Sequence, residues 1–185
     1  MVKNITEYGY LKPFLFNEGE IHLADISKKL ALPHPTVRLY LNQFESLGIL
    51  IKKNKGKLTF YSLNKESPFL IEILSLAEKE NLYREMLKDL LLRETVEYMH
   101  KNLKNCNILI FGSASVNIKK AEDIDILVIG KIDKKIFLDL EKKIGKKVHL
   151  INVPSFSEVN NSLKLEIKKK HLIILGVEEI VKWLV

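Results

Sequence analysis

The stretch NILIFGSASVNIKKAEDIDILVI, residues 107–129, decides the second half of the chain. A short apolar run, residues 108–111, ends at Gly112-Ser113, and nine residues then separate Ser113 from Asp123-Ile124-Asp125. The aspartates open a second apolar run that continues to Ile129. Side chains alternate between the faces of a strand, so Asp123 and Asp125 share one face while Ile124 and Ile126 share the other. Two carboxylates spaced about 7 Å along a strand suit a shared hard divalent cation. Such a cation polarises a nucleotide's phosphates and stabilises charge in phosphoryl transfer. Gly112 admits close backbone approach to a phosphate, and Ser113 offers it a hydroxyl and an amide. An Asp-x-Asp by itself is commoner as the wet face of an edge strand; the preceding strand that ends in Gly-Ser gives it weight.

Further apolar runs follow at 148–153 and 172–175, separated by charged helical stretches at 134–143 and 156–170. Strands alternating with helices predict an α/β or α+β domain. A last amphipathic helix is expected over 177–184, with Trp183 anchored against the sheet. The Gly-Ser, gap, Asp-x-Asp pattern resembles the minimal nucleotidyltransferases of the DNA polymerase β superfamily. The resemblance spans about residues 82–178, from a lead-in helix over 82–103 to KHLIILG, residues 170–176, as a closing strand. It implies a small mixed sheet flanked by helices, Mg2+ on Asp123 and Asp125, and an NTP held by Gly112 and Ser113. The implied reaction moves a nucleoside monophosphate to a hydroxyl of a protein or small molecule and releases pyrophosphate. Relatives of this kind work as antitoxins on a partner toxin, which makes a partner protein the acceptor by resemblance. The chain departs from the pattern twice. Ala114 stands where an arginine often follows Gly-Ser, and the strand KVHLINV, residues 147–153, offers His149, with Asn152 further on, where a third carboxylate is usual. His149 therefore joins Asp123 and Asp125 as a candidate catalytic residue, with a base, a metal ligand and a structural group as its open readings. The alternative function is a transcription regulator whose second domain binds nucleotide without catalysis.

The first 65 residues have a different texture. In ADISKKLALPHPTVRLYLNQFESLG, residues 24–48, Ile26, Leu30 and Leu32 mark one short helix and its exit. Pro33 and Pro35 stop it, and Pro35 suits the first turn of a second helix. Val37, Leu41 and Phe44 face inward at helical spacing, and Gly48 ends the run with a left-handed cap. Two β-rich runs, 49–53 and 57–63, flank Asn54-Lys55-Gly56, a hairpin signal tipped with lysines 52, 53, 55 and 57. The segment resembles the winged helix-turn-helix regulators of the MarR/ArsR-like type over about residues 5–64. The resemblance implies a recognition helix at 34–47 that presents His34, Thr36, Arg38, Tyr40, Asn42 and Gln43 to DNA. Lys53, Lys55 and Lys57 in the wing would contact phosphates, which positions a protein on DNA without reading sequence.

Between these regions two apolar stripes at helical spacing, Leu70/Ile73/Leu74/Ala77 and Leu82/Met86/Leu90/Leu91, slip against each other around Glu80-Asn81. Two helices or one kinked helix follow from that slip, serving as a packing spacer or a dimerisation helix. The expected fold class is α+β: a winged helix-turn-helix (1–65), a helical linker (66–104) and a polymerase-β-type nucleotidyltransferase fold (105–185). The 185 residues carry 30 Lys/Arg against 23 Asp/Glu, a net charge of +7, of which +5 falls in residues 1–65. That excess favours an anionic partner such as DNA. Cys106 is the only cysteine, which excludes a disulfide within one chain and a cysteine-based zinc site. The apolar runs are too short to span a bilayer, and MVKNITEYGY has no apolar core of a signal peptide. A cytoplasmic homodimer away from membranes is expected.

Overall fold

The computed structural model describes residues 7–15 and 19–185, so the first six residues of the N-terminal reading and Phe16, Asn17 and Glu18 lie outside the described residues. The chain gathers into two units, residues up to Glu80 together with Val185, and Asn81–Leu184. The structure is mixed α+β, with eight α-helices and two sheets among the described residues.

In the first unit a 3-10 turn, Glu7–Leu11, runs into α1 (Lys12–Leu15), followed by β1 (Ile21–His22), α2 (Leu23–Leu30) and α3 (His34–Ser46). Helix α2 stops at Ala31, which takes a left-handed φ of 55°. Pro33 then stands as N-cap of α3, and Pro35 lies in its first turn, where a missing N–H costs no helical bond. Ile26, Val37, Leu41 and Phe44 are buried from the two helices toward one another. Beyond α3, Gly48 has φ +71°, the left-handed step that lets the chain turn into β2 (Leu50–Lys55). Strand β3 (Leu58–Leu63) returns antiparallel, and the sheet order is β1-β3-β2. Because Lys55 pairs with Leu58, the hairpin turns on Gly56-Lys57, two residues beyond the start of the expected Asn54-Lys55-Gly56 turn. Gly56 carries the positive φ, 59°, that a two-residue turn requires.

Helix α4 (Leu70–Lys88) runs without interruption through Glu80-Asn81, where the sequence predicts a break. The break falls at Asp89, whose carboxylate accepts the N–H groups of Leu91 and Leu92 and so caps α5 (Leu90–Asn102). Local capping chemistry outweighs the slipped stripe.

The second unit carries β4 (Asn107–Phe111), β5 (Asp123–Ile129), α6 (Lys135–Ile144), β6 (Lys147–Val153), α7 (Asn161–Lys169), β7 (His171–Leu175) and α8 (Val177–Leu184). Strand order is β6-β5-β4-β7; β5 and β6 are parallel and the other pairs antiparallel. The parallel pair demands a crossover, which α6 supplies before its left-handed exit at Gly145. Ile108, Ile110, Ile124, Ile126 and Val128 pack with Val96 and Met99 of α5 and Phe137 and Leu140 of α6 into one apolar cluster. The opposite face bears Leu109 and Leu127 at its centre, both fully buried, and α8 packs on β4 and β7. Trp183 of α8 meets Phe156 at 5.3 Å between ring centroids, under the Lys164 ammonium. No helix among the described residues is long and apolar enough to cross a membrane.

Candidate functional site

The β4–β5 register sets Phe111 opposite Asp125, so the turn that leaves β4 begins beside that carboxylate. Gly112 has φ +65°, and a Cβ built on it would stand 2.7 Å from Asp125 Oδ2. The left-handed backbone favours glycine, and any side chain here would push the Asp125 carboxylate aside. The turn is closed by its own hydrogen bonds. Ser115 Oγ donates to the Gly112 carbonyl at 2.8 Å, while the N–H groups of Val116 and Asn117 donate to the Ser113 carbonyl, each at 3.1 Å. Ser113 is exposed at this turn, whereas Ala114 is buried in the apolar cluster with Ile118 and Ile124. An arginine at position 114 would have to carry its guanidinium past those apolar groups, at a position the structure fills with a buried methyl group.

Asp123 and Asp125 both lie on β5, Asp123 exposed at its start and Asp125 half-buried two residues further in. Glu122 precedes the strand and is exposed. The parallel pairing sets Lys147 against Asp123 and His149 against Asp125. His149 Nδ1 lies 3.1 Å from Asp125 Oδ1. The imidazole is 66% exposed and the carboxylate 23%, so the pair sits at the rim of the sheet. Asn152 is elsewhere: its side-chain amide donates to the carbonyls of Val128 and Gly130 and ties β6 to the end of β5. Among the described residues no three His, Cys, Asp or Glu side chains already gather around one point that could hold a metal. The donors offered are Asp123, Asp125 and His149 on neighbouring positions of one face, beside a glycine cradle that a side chain would fill.

Lys147, in register with Asp123, is a neighbour of the site that no local pattern in the sequence singles out. The parallel register between DID and KVH was the missing signal. Lys146 Nζ donates to the Ala121 carbonyl and holds the approach to Asp123. Burial pushes the Cys106 thiol up, and the Cys106 Cβ lies 3.3 Å from the position a Cβ on Gly130 would take, so this cysteine packs against a turn.

The candidate DNA face divides. His34, Arg38 and Gln43 are exposed on α3, and Thr36 is half-buried. Tyr40 turns back onto Tyr10, with ring centroids 4.0 Å apart and planes 15° from parallel. Asn42 Oδ1 accepts from Tyr61 Oη at 2.9 Å and from Lys52 Nζ at 3.0 Å. Tyr40 and Asn42 therefore bond within their own unit, and with Thr36 half-buried only three of the six residues expected on this face, His34, Arg38 and Gln43, are exposed. Leu39, at 59% exposed, occupies the centre of the outward face instead. In the hairpin Lys53 and Lys55 converge on Glu20, at 2.9 Å and 2.6 Å. Hydrogen bonds from Lys55 and Lys53 hold the Glu20 carboxyl below its usual range. Lys57 is exposed in the turn itself.

A glycine turn clasped onto a carboxylate, with an imidazole on the next strand, is a polar site at the rim of a mixed sheet. No family model matches the chain. The chain is similar to a Methanocaldococcus jannaschii protein whose name provisionally assigns it as a protein adenylyltransferase: 36% identity over 72 residues, covering 38% of this chain and 56% of that protein. The chain thus spans little more than half the length of the curated relative it matches. Among solved structures, a mutant of the toxin–antitoxin pair MntA–HpeT aligns at 15% identity and TM-score 0.38, over 50% of this chain and 79% of that one. TrmBL2, described as an archaeal chromatin protein with a novel mode of DNA binding, aligns at 16% identity and TM-score 0.29, over 82% of this chain and 64% of that one.

Proposed function

We propose that the second unit is a nucleotidyltransferase, moving a nucleoside monophosphate from an NTP to a hydroxyl acceptor. The observation that carries the reading is the clasp between Gly112 and Asp125, where a Cβ would meet the carboxylate at 2.7 Å. On this reading the Ser113 hydroxyl and amide, next in the chain to Gly112, would meet a triphosphate whose cation Asp123 and Asp125 hold. Asp123 and Asp125 would hold a divalent cation, Mg2+ in the family resembled, and such an ion neutralises charge on the triphosphate as pyrophosphate leaves. Gly112 and Ser113 bind and orient the phosphates. Asp125 is hydrogen-bonded to His149 and lies close against the backbone of the Gly112 turn. The acceptor oxygen bonds to the α-phosphorus, its proton passes to water, and the bond to pyrophosphate breaks, so that pyrophosphate leaves. A protein acceptor is supported by the similarity to a protein provisionally named as a protein adenylyltransferase.

The first unit, on this reading, is a winged helix that places the chain on DNA through His34, Arg38 and Gln43 of α3 and Lys57 of the hairpin. Thr36 flanks that face. Lys53 and Lys55 contribute only as far as Glu20 releases them. Two copies reading two half-sites would make a homodimer, which light scattering with and without DNA checks; a monomer in both would remove it. Localisation in the cytoplasm belongs to the same proposal.

One observation favours a second reading. His149, not an acid, faces Asp125. A site without a third carboxylate fits a regulator that binds nucleotide and does not turn it over. Pyrophosphate release on incubation with each NTP and a divalent cation separates the two. Release that disappears in D125A supports transfer, and nucleotide binding without release supports the sensor.

A further inference from the structure

We infer that helix α4 is a dimer seam, its outer face pairing antiparallel with the same face of a second copy of this chain. The inference is independent of the nucleotide site, and it gives the homodimer proposed above a surface that forms without DNA. Helix α4 buries Ser75, Glu78 and Asn81, while Phe69, Leu76, Tyr83 and Leu87 stand between 41% and 85% exposed. Phe69 lies one residue before the helix, and its carbonyl accepts the first-turn N–H of Ile73. Large apolar residues on the outside of a helix that buries polar ones mark a face for a partner. Half-buried Ile73 and Glu80 complete a row at 69, 73, 76, 80, 83 and 87. Its steps alternate four and three, the spacing of a coiled-coil seam.

Spacing and charge point to the occupant. A repeat of 3.5 residues keeps one row in contact along a helix that winds around it. The other helices among the described residues run to 13 residues at most, against 19 for α4, so a second α4 is the helix that matches it. A parallel pair would set Glu80 against Glu80 of the second copy and Lys79 beside its Arg84, like charge on like charge at both places. An antiparallel pair centred between Asn81 and Leu82 sets Leu76 against Leu87 and Tyr83 against Glu80. The two-fold axis makes each of these contacts twice. Across that seam the Tyr83 hydroxyl donates to the Glu80 carboxylate, a charge-assisted bond. Repulsion in one arrangement and pairing in the other fix the orientation.

The test is sedimentation equilibrium of the full chain without DNA, for the wild type, Leu87→Glu, Tyr83→Phe and Leu165→Glu. The last alters an exposed leucine of α7, off the seam. The wild type should be a dimer at micromolar concentration. L87E should weaken it about a hundredfold, because it sets a carboxylate against Leu76 twice. Y83F should weaken it about tenfold through two lost hydrogen bonds, and L165E should leave it unchanged. Far-UV circular dichroism checks that each variant folds. A dimer that folded L87E leaves intact overturns the seam, and loss in L87E with Y83F unchanged overturns the antiparallel pairing. A wild type that is monomeric alone and pairs only on added DNA overturns the seam and keeps the half-site dimer, so the two readings fail separately.

Discussion

Gly112 is the residue on which the candidate site turns. A methyl group there would force either the turn or the Asp125 carboxylate to move, since 2.7 Å leaves no room, and the left-handed φ adds its own strain. Gly112→Ala should therefore cost about 1–2 kcal/mol of stability and weaken nucleotide binding, because Asp125 is the group displaced. Denaturant unfolding and calorimetric titration measure the two effects; a variant that kept both unchanged would separate the turn from the site. Glu20 makes a second prediction at this scale. It pairs with both Lys53 and Lys55 on the hairpin and offsets one of their two charges, so Glu20→Gln should tighten non-sequence-specific DNA binding severalfold at low salt. Fluorescence anisotropy on two unrelated duplexes checks it, and unaltered affinity on both would remove these lysines from the DNA face. The sign with pH follows from the depressed Glu20 carboxyl. The clasp is present above the unfolded carboxylate range and is lost as pH falls through the lower folded value. These residue-scale facts were only partly legible in the sequence. Gly112, Ser113 and the two aspartates announce themselves by local order. Glu20 on Lys53, Tyr10 on Tyr40 and Tyr61 on Asn42 join residues far apart in the chain, and no local pattern encodes which side chains long-range packing brings together.

At the scale of elements, local chemistry explains the boundaries. Strands β4, β5 and β7 begin and end within a residue or so of the apolar runs, because buried strands are stretches of β-branched and large apolar residues; β6, exposed or half-buried throughout, carries His149 and Asn152 among its apolar residues. Two boundaries resist that reading. The hairpin turn moved to Gly56-Lys57 because the positive φ must fall on the glycine of the two-residue turn. The α4–α5 break moved to Asp89 because two N–H groups find their acceptor there. Replacing Asp89 with alanine should destabilise the second unit by about 1 kcal/mol through loss of that cap. Urea unfolding followed by circular dichroism measures it, and a midpoint equal to wild type would mean that solvent satisfies those amides equally well. Lys147 was invisible for a related reason. Its partner depends on the parallel register of β5 and β6, which the alternation of neither strand reveals.

For the whole molecule, the uneven charge is the feature with consequences. Net +7 over 185 residues, concentrated toward the N-terminal third, favours a polyanion without specifying one. If Arg38 and Lys57 reach phosphates, the logarithm of the DNA association constant should fall linearly with the logarithm of salt, by about 0.9 per phosphate neutralised. Lys57→Ala should then reduce that slope by about 1 and weaken binding on every sequence alike. A flat salt response in the wild type would contradict the DNA reading altogether, and the exposed Leu39 at the centre of α3 would then mark that face for a protein surface.

The central claim is that Gly112, Ser113, Asp123 and Asp125 form one nucleotide and cation site. Its most direct test is isothermal titration of ATP and GTP, with Mg2+ or Mn2+, into the wild type and the Asp123→Ala/Asp125→Ala variant, with the mixtures then assayed for pyrophosphate. The account predicts cation-dependent binding of at least one nucleotide in the wild type, its loss in the variant, and pyrophosphate in the wild-type mixture once an acceptor is present. No binding of either nucleotide with either cation, or binding that survives removal of both aspartates, would contradict it.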